Sequence, residues 1–265
     1  MFKIMKPTDE NKLLYYCLGI FIIATYISIA LGEPNAPIAI GVILTIAYFI
    51  MRSGLYQQRV EHLKEFAKKN NYEYIPTPHK NLLVEFNNFK CLNSLASVSE
   101  PLLNLLVPGS DSDNPHMVTA KKIISNPNGG PDGVYYTQLF LFNFEKEIPK
   151  FFIRKKSWFE DLLPGTPKRI IESYKLTDYF LSYPKNKNFP SKTYFCFVKD
   201  DVFESFISEK FIELLNMGIN KRKKQINIES DGKNLLFYVH HRRHSQDDMT
   251  YYINLFKVLK DSLLQ

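Results

Sequence analysis

Catalytic signatures are absent from this chain, cysteine is sparse, and two stretches near its start contain no charged residue. No G-x-S-x-G, H-E-x-x-H or kinase signature occurs anywhere, so the usual sequence marks of acyl transfer, zinc hydrolysis and phosphoryl transfer are missing. The three cysteines, Cys17, Cys91 and Cys196, are scattered. They fit a reducing compartment and neither a disulfide framework nor a zinc site. Cys91 and Cys196 are candidate nucleophiles only beside a histidine, and Cys196 alternates with Phe195 and Phe197 in an apolar run, where a thiol is packing. The glycine-rich stretch 128–133 lacks the Gly-Lys-Ser/Thr ending of a phosphate loop and has no helix after it, which leaves a hairpin loop.

What is present begins with the uncharged stretches. Residues 13–31 form a run of 19 without charge; 32–35 (Gly-Glu-Pro-Asn) turn the chain; residues 36–51 form a second run of 16. A helix needs roughly 20 apolar residues to cross about 30 Å of hydrocarbon. The second run gains a turn if Arg52 snorkels and the helix continues, so the expected spans are 13–31 and 36–54. A cleaved signal peptide is the rival, but the first run exceeds an h-region, no A-x-A site follows, and a second run comes at once. Lys3, Lys6 and Lys12 precede the pair; Arg52, Arg59, Lys64, Lys68 and Lys69 follow it, and the turn has no Lys or Arg. The positive-inside rule then puts both termini in the cytoplasm. Tyr15, Tyr16 and Tyr26 read as membrane residues, some of them in the aromatic belt, and Gly19, Ala24, Ala30, Ala36, Ala39 and Gly41 permit close helix packing.

The expected organisation is a membrane hairpin over 1–56 and a cytoplasmic domain over 57–265. Composition of the whole chain is ordinary at 45% hydrophobic, with 21 Phe and 16 Tyr, which points to a well-filled, sheet-rich core. A net charge of +7 does not call for nucleic acid, because topogenic lysines and an anionic inner leaflet already account for it.

The local patterns predict an α+β domain of largely antiparallel strands with amphipathic helices. Residues 57–70 read as a helix prolonging the second span, and 72–75 as a strand stopped by Pro76 and Pro78. Leu102, Leu103, Leu105 and Leu106 suggest a short buried helix after Pro101. Residues 117–124 and 134–144 read as strands; Phe140, Phe142 and Phe144 alternate with Leu139, Leu141 and Asn143, so both faces of the second are covered. Further strands are expected at 150–154, 169–173, 179–183 and 193–198, and a short helix at 157–163. A helix over 202–217 has an Asp201/Glu204 capping box, a stripe of Phe203, Ile207, Phe211 and Leu214, and Gly218 as C-cap. A hairpin then crosses 230–233 (Ser-Asp-Gly-Lys), and a final helix from about Ser245 carries Met249, Tyr252, Ile253, Phe256, Leu259 and Leu263 inward.

The order of these landmarks is familiar. The segment 89–93, the Leu106-containing segment, the Gln138-containing strand and 148–154 (Ile-Pro-Lys-Phe-Phe-Ile-Arg) belong to it, as do 179–183, 203–211 and 229–238 before a terminal helix. Together they resemble bacterial membrane proteins of unknown function, with two N-terminal transmembrane helices and a cytoplasmic α+β domain. That resemblance implies an architecture and a place in the bacterial inner membrane, and no catalytic residues.

Two polar clusters remain. His240, His241 and His244, with Asp247 and Asp248 behind, are candidate ligands for zinc or another divalent ion. Against this, His240 and His241 point to opposite faces of a strand, and Arg242 and Arg243 would repel a cation. Lys221, Arg222, Lys223 and Lys224, with Arg52 and Arg59, are candidate membrane-surface cations; the plainer reading of the run is a solvated loop after a helix. No aromatic RNA-binding signature accompanies them, no nucleic acid is expected, and no cofactor is implied. With no convergent polar site visible, the leading expectation is a non-catalytic binding or scaffold module on the cytoplasmic membrane surface. Its partners would be the lipid bilayer and a protein partner or a second copy. The alternatives are a membrane-tethered, metal-dependent hydrolase using the histidines, and a secreted bacterial effector whose hairpin enters a host membrane.

Overall fold

The computed structural model describes residues 10–30, 32, 36–92, 102–110, 113–124, 133–157, 160, 163, 165–200, 203–222, 226–239 and 246–263. The chain divides into two compact units, Met1–Phe66 and Ala67–Gln265.

The first unit holds helix α1 (Glu10–Ala30) and most of α2 (Ala36–Lys69). The expected prolongation of the second apolar run is found: α2 is a single helix of 34 residues. At Gly41 an added Cβ would lie 3.2 Å from the Phe21 ring, so glycine permits the close approach of the two helices there. Ser28 Oγ and Thr45 Oγ1 donate back to the Ala24 and Gly41 carbonyls at 2.8 and 2.7 Å, which satisfies both hydroxyls without water. Among the described residues no helix is long and apolar enough to cross a membrane. The side chains of residues 13–16 and 18, inside the first run, lie outside those described.

The second unit is α+β. Its strands are β1 (Tyr72–Ile75), β2 (Leu102–Pro108), β3 (His116–Ile124), β4 (Gly133–Asn143), β5 (Phe151–Lys155), β6 (Phe180–Leu181), β7 (Tyr194–Val198), β8 (Ile226–Ser230) and β9 (Asn234–Val239). They form one sheet in the order β1-β2-β3-β4-β9-β8-β5-β7-β6, and every pairing is antiparallel. Among the described residues its α-helices are α3 (Val84–Asn87), α4 (Thr166–Ser173), α5 (Phe203–Phe206), α6 (Glu209–Arg222) and α7 (Gln246–Leu263).

Register sorts the side chains into two cores. Leu139 pairs with Tyr238, Leu141 with Leu236, and Phe152 with Phe197. These residues share one face and pack with Phe86, Phe89 and Cys91 at and after α3 and with Ile170 and Tyr174 at α4. The opposite face carries Phe140, Phe237 and Phe151. Phe256 of α7 stacks on Phe237 at 4.5 Å, and Phe203 of α5 meets Phe151 at 4.8 Å. Helices therefore cover both sides, which is why β4 is apolar at consecutive positions. All six expected inward residues of α7 are buried.

Three expectations are corrected. The leucines at 102–106 lie in strand β2, not a helix: its pairing with β3 shifts between Leu103 and Leu106, and Asn104 has φ +54°. The bulge sends Leu102 and Leu105, three apart, into the same core, which imitates helical spacing. Residues 169–173 belong to helix α4, which opens after Gly165 (φ +74°) with a proline in its first turn. The helix over 202–217 is two helices. Ser208 Oγ accepts from Phe211 N at 3.0 Å as the N-cap of α6 and donates to the Ser262 carbonyl. After that break Ile212 and Leu215 are buried with Phe211, while Leu214 is only half-buried, and the helix runs through Gly218 to Arg222. Asp201 of the expected capping box lies outside the described residues, as do most of residues 157–163.

The predicted hairpin across 230–233 is present between β8 and β9. Asp231 Oδ1 accepts from Lys233 N and Asn234 N at 2.9 and 2.7 Å, and Gly232 holds φ +103° with the Lys150 stem over it. Gly232→Ala is expected to destabilise the protein by about 1–2 kcal/mol, read as a lower urea midpoint, because a side chain is disfavoured at that φ.

Candidate functional site

The site grows from one buried carboxylate. Glu229 sits near the end of β8 opposite Phe152 and Leu236, so its side chain shares the apolar face with theirs and is 1% exposed. Isolated there, a charge is costly. The carboxylate is met by two backbone donors, Lys90 N at 2.6 Å and Cys91 N at 2.9 Å, and by the Cys91 thiol. Burial pushes the Glu229 carboxyl up to about 7, against the opposing pull of those N–H groups. Glu229 thus pins the segment after α3 to the centre of the sheet. Burial, then the Glu229 charge, pushes the Cys91 thiol well up, which makes it a hydrogen-bond donor and a poor nucleophile. Cys196 is likewise buried with its thiol raised.

Beside Glu229 a cleft of about 710 Å³ opens where the start of β5, the end of β7 and the β8–β9 hairpin converge. Lys90, Lys150, Lys199 and Lys233 line it, together with Glu147, Asp178, Asp200, Asp231 and Tyr179. Several of the carboxylates already have duties. Asp178 meets Lys199 Nζ at 3.5 Å; Asp231 holds the hairpin turn and accepts from Asn88 Nδ2 at 3.3 Å. Burial, and then the charges of Glu229, Asp231, Asp178 and Asp200, push the Tyr179 phenol up, so it stays protonated as a donor. The cleft offers ammonium and phenol donors, and carboxylate acceptors, to a polar ligand. It presents no activated nucleophile.

A partly buried ion pair stands further along β5. Arg154 meets Glu160 through two parallel bonds, Nη1 to Oε2 at 3.0 Å and Nη2 to Oε1 at 2.9 Å, with its guanidinium 5.9 Å over the Tyr174 ring. Glu160 also accepts from Ser157 N at 2.6 Å. These bonds tie the chain after β5 to the sheet, a structural duty.

The residues singled out from the sequence are not brought together. His240, His241 and His244 lie outside the described residues, as do Lys223 and Lys224. Among the described residues no group of three His, Cys, Asp or Glu is placed to hold a metal. Lys221 and Arg222 form the last turn of α6, and Arg52 lies in α2; their side chains are outside the described set. Arg59 lies in α2 and is 7% exposed. The expectation of no convergent polar site is corrected, since the cleft is one. Its lysines stand at 90, 150, 199 and 233, too dispersed for any motif, and only the sheet order collects them. The nearest sequence signal is the Ser-Asp-Gly-Lys turn, whose pattern indicates a hairpin and nothing more. In comparison with known proteins, the chain matches no family model and no curated relative.

Proposed function

We propose that this protein is a membrane-anchored binding module. Its N-terminal helical hairpin, with spans over 13–31 and 36–54, sits in a bacterial inner membrane, and its α+β domain faces the cytoplasm and takes a small polar ligand in the Glu229 cleft. One observation carries the anchor. Most of the exposed large apolar side chains among the described residues fall between positions 20 and 50, on two successive helices, with Ile23 62% and Ile38 70% exposed. Such a belt is a liability in water and ordinary in lipid. The 19-residue uncharged run is about 28 Å long as a helix, close to the hydrocarbon thickness. The binding role rests on a cleft rich in positioned polar groups whose nearest thiol is buried and protonated. Nothing among the described residues favours the metal-dependent hydrolase.

Membranes from cells making the full chain decide the anchor. The protein is expected to resist alkaline carbonate and high salt and to leave the pellet only with detergent. A C-terminal tag should be digested by protease in inverted vesicles and protected in intact spheroplasts. Release by carbonate, or a tag cut from outside, would overturn the reading.

A further inference from the structure

At the opposite end of β5 from the Glu229 cleft lies a second concavity, a shallow groove of about 550 Å³ after β5 and before β7. Lys156, Lys185, Lys187 and Lys192 line it, and no carboxylate does among the described residues. Lys156 Nζ rests 4.7 Å from the Phe195 ring and 6.0 Å from that of Tyr183. Lys185 is tied to Glu204 at 3.4 Å, whereas among the described residues Lys187 and Lys192 have no ion pair. The chain reaches the groove from the edge strand β6, whose Leu181, opposite Phe197 and so on the side of Phe195 and the groove, is 37% exposed, while Phe180, opposite Val198, turns to the other face. An exposed aliphatic side chain beside a cluster of lysines suits a surface that meets a headgroup layer.

We infer that β6 and the basic groove after it form a docking face for anionic phospholipid. The inference rests on the membrane anchor proposed above, which keeps lipid at high effective concentration beside the domain. Charge complementarity selects the anionic headgroup, and the exposed Leu181 on the groove's side favours a bilayer over a dissolved polyanion. Single-stranded nucleic acid fits less well, because the Phe195 and Tyr183 rings already carry Lys156 and Phe189 is buried, which leaves no open stacking platform. A two-residue edge strand is too short to template a peptide strand.

The test uses the full chain in liposomes of phosphatidylcholine alone or mixed with phosphatidylglycerol. An environment-sensitive fluorophore is placed through Ser191→Cys at the groove rim; the native thiols are buried and do not compete. Blue-shifted emission quenched by brominated lipid is expected only with phosphatidylglycerol, and it should fade with salt. Each lysine near an anionic surface is worth about fivefold, so Lys187→Glu with Lys192→Glu should lower the docking constant at least about tenfold. Leu181→Ser should weaken quenching while near-ultraviolet dichroism is unchanged, and Phe180→Ser, on the other face, should leave quenching as it is. Equal emission in both liposomes, with the chain floating in each, overturns docking and leaves the anchor standing. A response to an acidic peptide or RNA in phosphatidylcholine liposomes, with none to phosphatidylglycerol, overturns it in favour of that partner. Failure to float with either liposome overturns the anchor and this face together.

Discussion

Phe256→Ala is expected to destabilise the protein by about 3–5 kcal/mol, the range for removing a large aromatic ring from a packed core. Phe256 is fully buried near the middle of α7. Its ring stacks on Phe237 of β9 at 4.5 Å and 10°, meets Phe140 of β4 edge-on at 5.2 Å, and stacks on Tyr252 at 5.4 Å. One side chain therefore joins α7 to the adjacent strands β4 and β9. Alanine leaves a void bounded by three rings that are themselves locked in place, so relaxation recovers little. Urea unfolding of the full chain in detergent micelles, followed by tyrosine dichroism, should show the midpoint fall by more than about 1 M. Phe237→Ala should be less than additive with it, because each substitution removes the same stack. A loss below about 1.5 kcal/mol, under the lower end of aromatic truncations, would mean that α7 is not clamped to the sheet through this ring.

The success of that stripe and the failure of others have a common physical cause. A long helix with one apolar face, such as α7, repeats its pattern often enough to be read directly. The same holds for β4, whose alternating Phe and Leu residues serve two cores, and for the hairpin closed by Asp231 and Gly232. Misreadings occurred where one residue reset the period. The bulge at Asn104 turned a strand's spacing into a helix's, and the Ser208 cap shifted the buried stripe by one position. At 169–173 the β-branched Ile170 and Ile171 favour a strand locally, and the proline in the first turn of α4 favours the helix that forms. The cleft was invisible for another reason. Its residues come from five separated segments, and their meeting depends on β5 inserting between β8 and β7, a long-range pairing that local periodicity does not encode. Glu229 carries no local sequence mark of burial. Only the register, which sets it opposite Phe152 and Leu236, reveals a buried charge.

That buried charge leads to the remaining expectation: raising the pH from about 5 to about 8 should destabilise the native state through Glu229, opposite to the usual carboxylate. In the unfolded chain the group ionises near its ordinary value of 4.5; in the folded protein it holds its proton to about 7. Between these values the native state binds more protons than the unfolded one, so its stability falls as pH rises. The contribution is fully present below about 4.5 and gone above about 7, and at 1.36 kcal/mol per pH unit it amounts to about 3 kcal/mol. Burial is the dominant cause, and the Lys90 and Cys91 N–H groups limit the effect without reversing it. Glu229→Gln keeps the shape and cannot ionise. Urea midpoints for the wild type should therefore drop relative to this variant on going from about pH 5 to about pH 8. Other titrating groups, such as His116, whose pKa burial lowers, cancel in that comparison. A difference between the two proteins that stays constant across the range would show that Glu229 ionises as easily folded as unfolded, and that the anchor of the Lys90–Cys91 segment is a permanent charge.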